Sequence, residues 1–119
     1  MNMRMRIGTV AVAIVTVGLL LTLNLPAVSA SSAGGDTEAG AAIFKKCAMC
    51  HAKDGTGNEK MAAMLKVEIR DLGSAEVQER SDEDFAKIVK EGNGKMKPVK
   101  GLTDDDIANV IAFVRTLKK

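Results

Sequence analysis

Both cysteines and the only histidine of this 119-residue chain fall within five consecutive positions, Cys47-Ala48-Met49-Cys50-His51. Three such residues scattered at random would reach the spacing C-x-x-C-H in about one chain in ten thousand, so the grouping is not incidental. Two thiols three positions apart lie on one side of a helical turn, where they can add to two vinyl groups along one edge of a flat macrocycle. The histidine that follows then sits below the ring and offers its imidazole to a central metal. This is the spacing that covalent attachment of a c-type haem requires, with Cys47 and Cys50 as thioethers and His51 as the proximal iron ligand. The same inventory closes other routes. Two cysteines cannot staple a small domain into a multi-disulfide scaffold, and one histidine rules out a site with two imidazoles. A redox-active thiol pair would need a βαβ setting that the sequence lacks. A zinc ion would find only three soft ligands, packed too closely for tetrahedral closure.

The chain divides around this motif. Residues 1–6 are short and basic, residues 7–25 form an apolar run without charge, and Pro26 breaks that run. Val28-Ser29-Ala30 then supplies the small residues that a signal peptidase reads. Residues 1–30 are therefore expected to be an export signal; left uncleaved, residues 7–25 would instead anchor the chain in a membrane. Residues 31–36 read as a flexible leader, and residues 37–119 as one domain. The formal charge of +2 is carried by Arg4 and Arg6, beyond which basic and acidic residues are equal in number. A strongly basic nucleic-acid binder is excluded on that balance.

The domain reads as all-α, a bundle of three to four short helices with long loops. Thr103 followed by Asp106 makes a capping box, and Ile107, Val110, Ile111, Val114 and Leu117 recur behind it at helical spacing. Ser81 and Asp84 repeat the pattern before Phe85, Ile88 and Val89, with Gly92 as the stop. A further helix starts near Thr37 and runs through Phe44 towards Cys47. A weaker candidate spans 60–66, where Met61, Met64 and Leu65 are expected to pack inward. With only Phe44, Phe85 and Phe113 as aromatic bulk, a domain this small needs something else to fill its middle. A bound haem would do so.

A sixth iron ligand can be sought by elimination. No second histidine exists. Met49 lies between the attachment cysteines and cannot reach the opposite face of the ring, while Met61 and Met64 fit helix packing. Met96 stands in Gly92-Asn93-Gly94-Lys95-Met96-Lys97-Pro98, a polar loop between two helices, where an isolated thioether makes a poor packing choice and a good ligand. A lysine amine or an open distal position are the alternatives.

On these residues the chain resembles the class I monohaem cytochromes c of the small exported bacterial type, over about residues 40–117. In that family a small residue and an aromatic precede the haem motif, positions that Gly40 and Phe44 match, and an aromatic near the end of the last helix corresponds to Phe113. The resemblance implies that Phe44 packs against the Phe113 helix, that Gly40 permits close backbone approach, and that Met96 is the distal ligand. Here Lys97 intervenes before Pro98, where many members have proline directly after the methionine. It further implies one covalent haem c and an electron carrier without substrate turnover, passing one electron between exported or membrane-bound redox proteins. Five lysines and one acid lie between 87 and 100, and Lys45, Lys46 and Lys53 flank the motif, a pattern suited to donor and acceptor proteins with acidic docking surfaces. A monomer is expected, touching a membrane only if the N-terminal segment is retained. The alternative is a haem-based sensor or peroxidase-like protein with an open or labile distal site.

Overall fold

A computed structural model describes residues 34–119. The expected export signal (1–30), including the apolar run 7–25, lies outside the described residues, as does the leader up to residue 33. Six helices follow in order: α1 (Thr37–Phe44), α2 (Ala48–His51), α3 (Glu59–Leu65), α4 (Ala75–Gln78), α5 (Asp82–Glu91) and α6 (Asp104–Thr116). The all-α expectation holds. Its three to four helices correspond to α1, α3, α5 and α6; the two others are four-residue turns, too short to leave a periodic pattern. Among the described residues no strand forms beyond one isolated bridge, Asn93 to Met96. No helix among them is long and apolar enough to cross a membrane.

Side-chain caps set most helix starts. Asp36 accepts from the Glu38 and Ala39 amides at α1, and its own amide donates to Asn109 Oδ1 at 2.7 Å. The last residue of the expected leader is thus already part of the fold. Asn58 caps α3, Ser74 α4 and Ser81 α5, and Thr103 with Asp106 closes the reciprocal capping box of α6. Helix α1 stops at Phe44, short of Cys47. The chain tightens there, with the Lys46 amide donating to Ile43 O (3.0 Å) and the Cys47 amide to Phe44 O (2.8 Å), which reorients the motif relative to α1.

The frame is the crossing of α1 with α6. At Gly40 the two backbones approach so closely that a Cβ would lie 2.0 Å from Asn109 O. One turn on, the Phe44 and Phe113 rings pack with centroids 5.0 Å apart and planes tilted by 49°. Both packing expectations drawn from Gly40 and Phe44 are met. Helix α6 supplies Ile107, Val110, Ile111 and Val114 to the core, and Phe44, Val77 and Phe85 complete it. Arg115, on the far side of α6, clasps the α4–α5 corner. Its guanidinium donates to Asp82 Oδ1, to Gln78 O (2.7 Å) and to Arg80 O (2.6 Å), and lies 4.7 Å over the Phe85 ring.

The expected inward packing of Met64 fails: it is 67% exposed, while Met61 is half-buried. Met61 and Leu65, four residues apart, share the inner face of the short α3, and Met64 lies one step round the helix from Leu65.

Candidate functional site

The C-x-x-C-H residues coil into one turn. Cys47 caps α2, and its carbonyl accepts from the amides of Cys50 (3.1 Å) and His51 (2.9 Å). The following loop folds back on that turn: the Gly57 amide donates to His51 O (3.0 Å), the Asn58 amide to Cys50 O (2.8 Å) and Asn58 Nδ2 to Met49 O (2.9 Å). Met49 is left 70% exposed, pointing away from any role inside the fold. Both thiols are free and half-buried. Burial pushes the Cys47 thiol above its usual pKa, with Lys46 opposing the rise.

Cys47, Cys50, His51 and Met96 all line one cavity of about 550 Å³. That volume lies within the ~300–1,000 Å³ typical of small-molecule and cofactor sites. Its walls are mainly apolar, with Phe44, Leu65, Leu72, Phe85, Val99 and Ile111 among them. His51 Nδ1 is enclosed and meets no hydrogen-bond partner among the described residues. An imidazole that lines the cavity while burying Nδ1 can offer only Nε2 to it. Desolvation also lowers the His51 pKa, which favours the neutral ring that binds metal ions.

Met96 reaches the same cavity from the loop between α5 and α6. The Asn93 amide donates to Met96 O (2.8 Å) and the Met96 amide to Asn93 O (3.0 Å), closing a turn across Gly94 and Lys95. Gly92 enters that turn at φ +83, where a Cβ would meet Met96 O at 2.5 Å, so glycine alone fits. The Val99 amide then donates to Val89 O (2.9 Å) and returns the chain to α5. Met96 is therefore held by backbone bonds of the protein's own. Lys97, the insertion before Pro98, is exposed at the cavity rim.

The sequence profile of the family Cytochrome c matches residues 37–118. The chain belongs to the cytochrome c family. Among solved structures it is similar to the KustC0563 c-type cytochrome, with 30% sequence identity and a TM-score of 0.59 over 67% of this chain and 98% of that one. A comparison with curated proteins finds no match. Cytochromes c are haem-based electron carriers, and the cofactor is one covalently bound haem c, which the C-x-x-C spacing of Cys47 and Cys50 fits. The residues lining the cavity agree with that group: two thiols, one inward nitrogen and apolar walls, in a domain with seven buried hydrophobic residues.

Other parts of this cytochrome's cavity are not visible in the sequence pattern. Val67 and Ile69 reach it from an irregular stretch between α3 and α4, and Arg70 and Arg80 line it as well. The only sequence signal for the first pair is the apolar–charged alternation Val67-Glu68-Ile69-Arg70, too brief to read as a strand. Nothing local distinguishes Arg80 from other surface arginines.

Proposed function

We propose that this cytochrome carries one electron between exported redox proteins on a haem whose iron is held by His51 Nε2 and Met96 Sδ. The reading is supported above all by one observation: His51 and Met96, from separate halves of the domain, line a single apolar cavity that also receives both attachment thiols. When bound, the haem supplies the one-electron iron(III)/iron(II) couple. The protein does the rest. Cys47 and Cys50 would tether the ring, and His51 and Met96 would together hold the iron, leaving no position for oxygen, peroxide or a substrate. The thioether of Met96 and the apolar walls both favour the less charged ferrous state and so raise the reduction potential. A turn already closed by its own backbone bonds keeps Met96 in place through the redox change, which suits rapid electron exchange. Cys47, Cys50, His51 and Met96 are accordingly the residues assigned to cofactor binding, with no catalytic residue.

Partners are proposed from charge. Lys46, Lys95 and Lys97 are exposed at the cavity rim, with Lys45 and Lys53 beside the attachment turn. They would steer acidic redox proteins towards the haem, and the transfer rate would fall as salt rises. Residues 1–30 would direct export, and residues 7–25 would give a membrane anchor if retained.

Absorption spectra of oxidised and reduced protein test the ligation. The ferric wild type is expected to show the weak sulfur-to-iron charge-transfer band; Met96→Ala loses it and the ferrous form gains ready CO binding. A wild type that lacks the band and already binds CO has an open distal site, and the sensor or peroxidase-like reading then replaces the carrier.

A further inference from the structure

A haem brings two propionate carboxylates, set on the ring edge opposite the vinyl carbons that the cysteines take. Inside an apolar cavity such charges require counter-charges. Five cations line the cavity: Lys46, Arg70, Arg80, Lys95 and Lys97. Lys46 adjoins Cys47 and belongs to the attachment edge. Lys95 and Lys97 flank Met96 and are exposed. Arg70 is exposed and paired with Glu76 at 2.5 Å. Arg80 differs from all four. It is half-buried, and among the described residues its side chain has no ion pair or hydrogen bond. Asp84 and Glu91 border an adjoining groove that Arg80 also lines, yet neither comes within ion-pair distance of it. A guanidinium partly withdrawn from water with no anion beside it is an unfavourable arrangement in isolation. Its planar fork of donors is, however, shaped for a carboxylate.

The backbone that carries Arg80 is pinned. Arg115 donates to the carbonyls of Gln78 and Arg80 and to Asp82, while Gln78 Nε2 donates to Leu72 O (2.7 Å) and Val114 O (3.0 Å). The α4–α5 corner is thereby fixed on α6 from both sides.

We propose that Arg80 is the counter-charge of a haem propionate, and that Arg115 is a positioning residue which holds the Arg80 backbone against α6. The inference rests on the haem occupying this cavity. In the ferrous haem the iron porphyrin carries one positive charge fewer, so a nearby cation stabilises it over the ferric form. Arg80 therefore raises the reduction potential as well as anchoring the ring.

Holoprotein variants Arg80→Gln, Arg80→Lys and Arg115→Lys test this by resonance Raman spectroscopy and redox titration. Arg80→Gln is expected to shift the propionate-bending band and lower the midpoint potential. Arg80→Lys keeps most of the potential but not the band position, because an ammonium cannot bind a carboxylate through a planar fork. Arg115→Lys shifts the band in the same direction by less, and adds nothing in combination with Arg80→Gln. A band in Arg80→Gln that superimposes on wild type overturns the proposal, even if the potential falls, since a merely nearby charge would do that. Should Arg115→Lys fail to fold, Arg80→Gln decides alone, because its side chain makes no bond within the protein. A pyridine haemochrome assay on each variant reports the haem separately, so a protein without haem fails the cofactor reading and not the assignment of Arg80.

Discussion

Preventing haem attachment should unfold most of this domain. In a Cys47→Ala/Cys50→Ala variant the haem is no longer tethered and can be stripped with acid–acetone. The cavity then stands without its occupant, at about 550 Å³. At roughly 24 cal/mol per Å³ of residual cavity, an enclosed void of that volume would cost up to about 13 kcal/mol. The cavity opens to solvent on one side, so water fills part of it and the figure is a ceiling. A domain of this length holds about 4–13 kcal/mol of net stability in total. Half the ceiling already removes most of that. The substitutions themselves, of two small half-buried thiols, account for about 1 kcal/mol. The assay is far-UV circular dichroism with a urea titration, run beside the holoprotein. The stripped variant is expected to show weak helical signal and no cooperative transition, while the holoprotein unfolds sharply. A cooperative transition from a native-like helical baseline in the stripped variant would refute the reasoning, and would mean that the α1–α6 frame is self-sufficient.

Gly40→Ala is expected to destabilise the holoprotein by about 2–3 kcal/mol, because a methyl 2.0 Å from Asn109 O forces α1 and α6 apart; the gain of about 1 kcal/mol in helix propensity offsets only part of this. Thermal unfolding by circular dichroism checks it, and a variant as stable as wild type would mean the helices separate without loss. Thr103→Ala removes one half of the α6 capping box and should cost about 1 kcal/mol, read as a lower urea midpoint with an unchanged slope. Lys119 and the Gly73 amide hold the Asp71 carboxyl below the usual carboxylate range. A carboxylate depressed in the folded state adds stability above its unfolded pKa and loses it as pH falls through the folded value. Asp71→Asn should therefore melt below wild type at neutral pH, with the gap closing in acid; a gap independent of pH would show that the Asp71 charge is not its source.

How far the site could be read in advance depended on the range of the forces involved. Capping at Ser81 and Thr103 was legible because a hydroxyl and an amide three residues along meet within one turn, whatever the rest of the chain does. The Gly40 and Phe44 crossing was legible through family resemblance, since neither residue has a local partner that would reveal it. Met64 was misread because periodicity locates a helix face to within about one residue step, and a seven-residue helix offers little more to fix its rotation. Helices α2 and α4 left no pattern at all.

The amino-acid sequence by itself determined the chemistry of attachment: two thiols and an imidazole in one pentapeptide are bound to act together, because covalent geometry and a single helical turn leave them nowhere else to go. It also determined the helical class, through caps and apolar spacing that act over three or four residues. Only the tertiary structure decided that Met96 shares a cavity with His51, and that Arg80, alone among the cations there, turns from solvent without an anion to meet it. Those relations join residues distant along the chain, and they exist only once α1, α5 and α6 have packed. Packing energy is a property of the whole set of contacts, so no short stretch of sequence carries it.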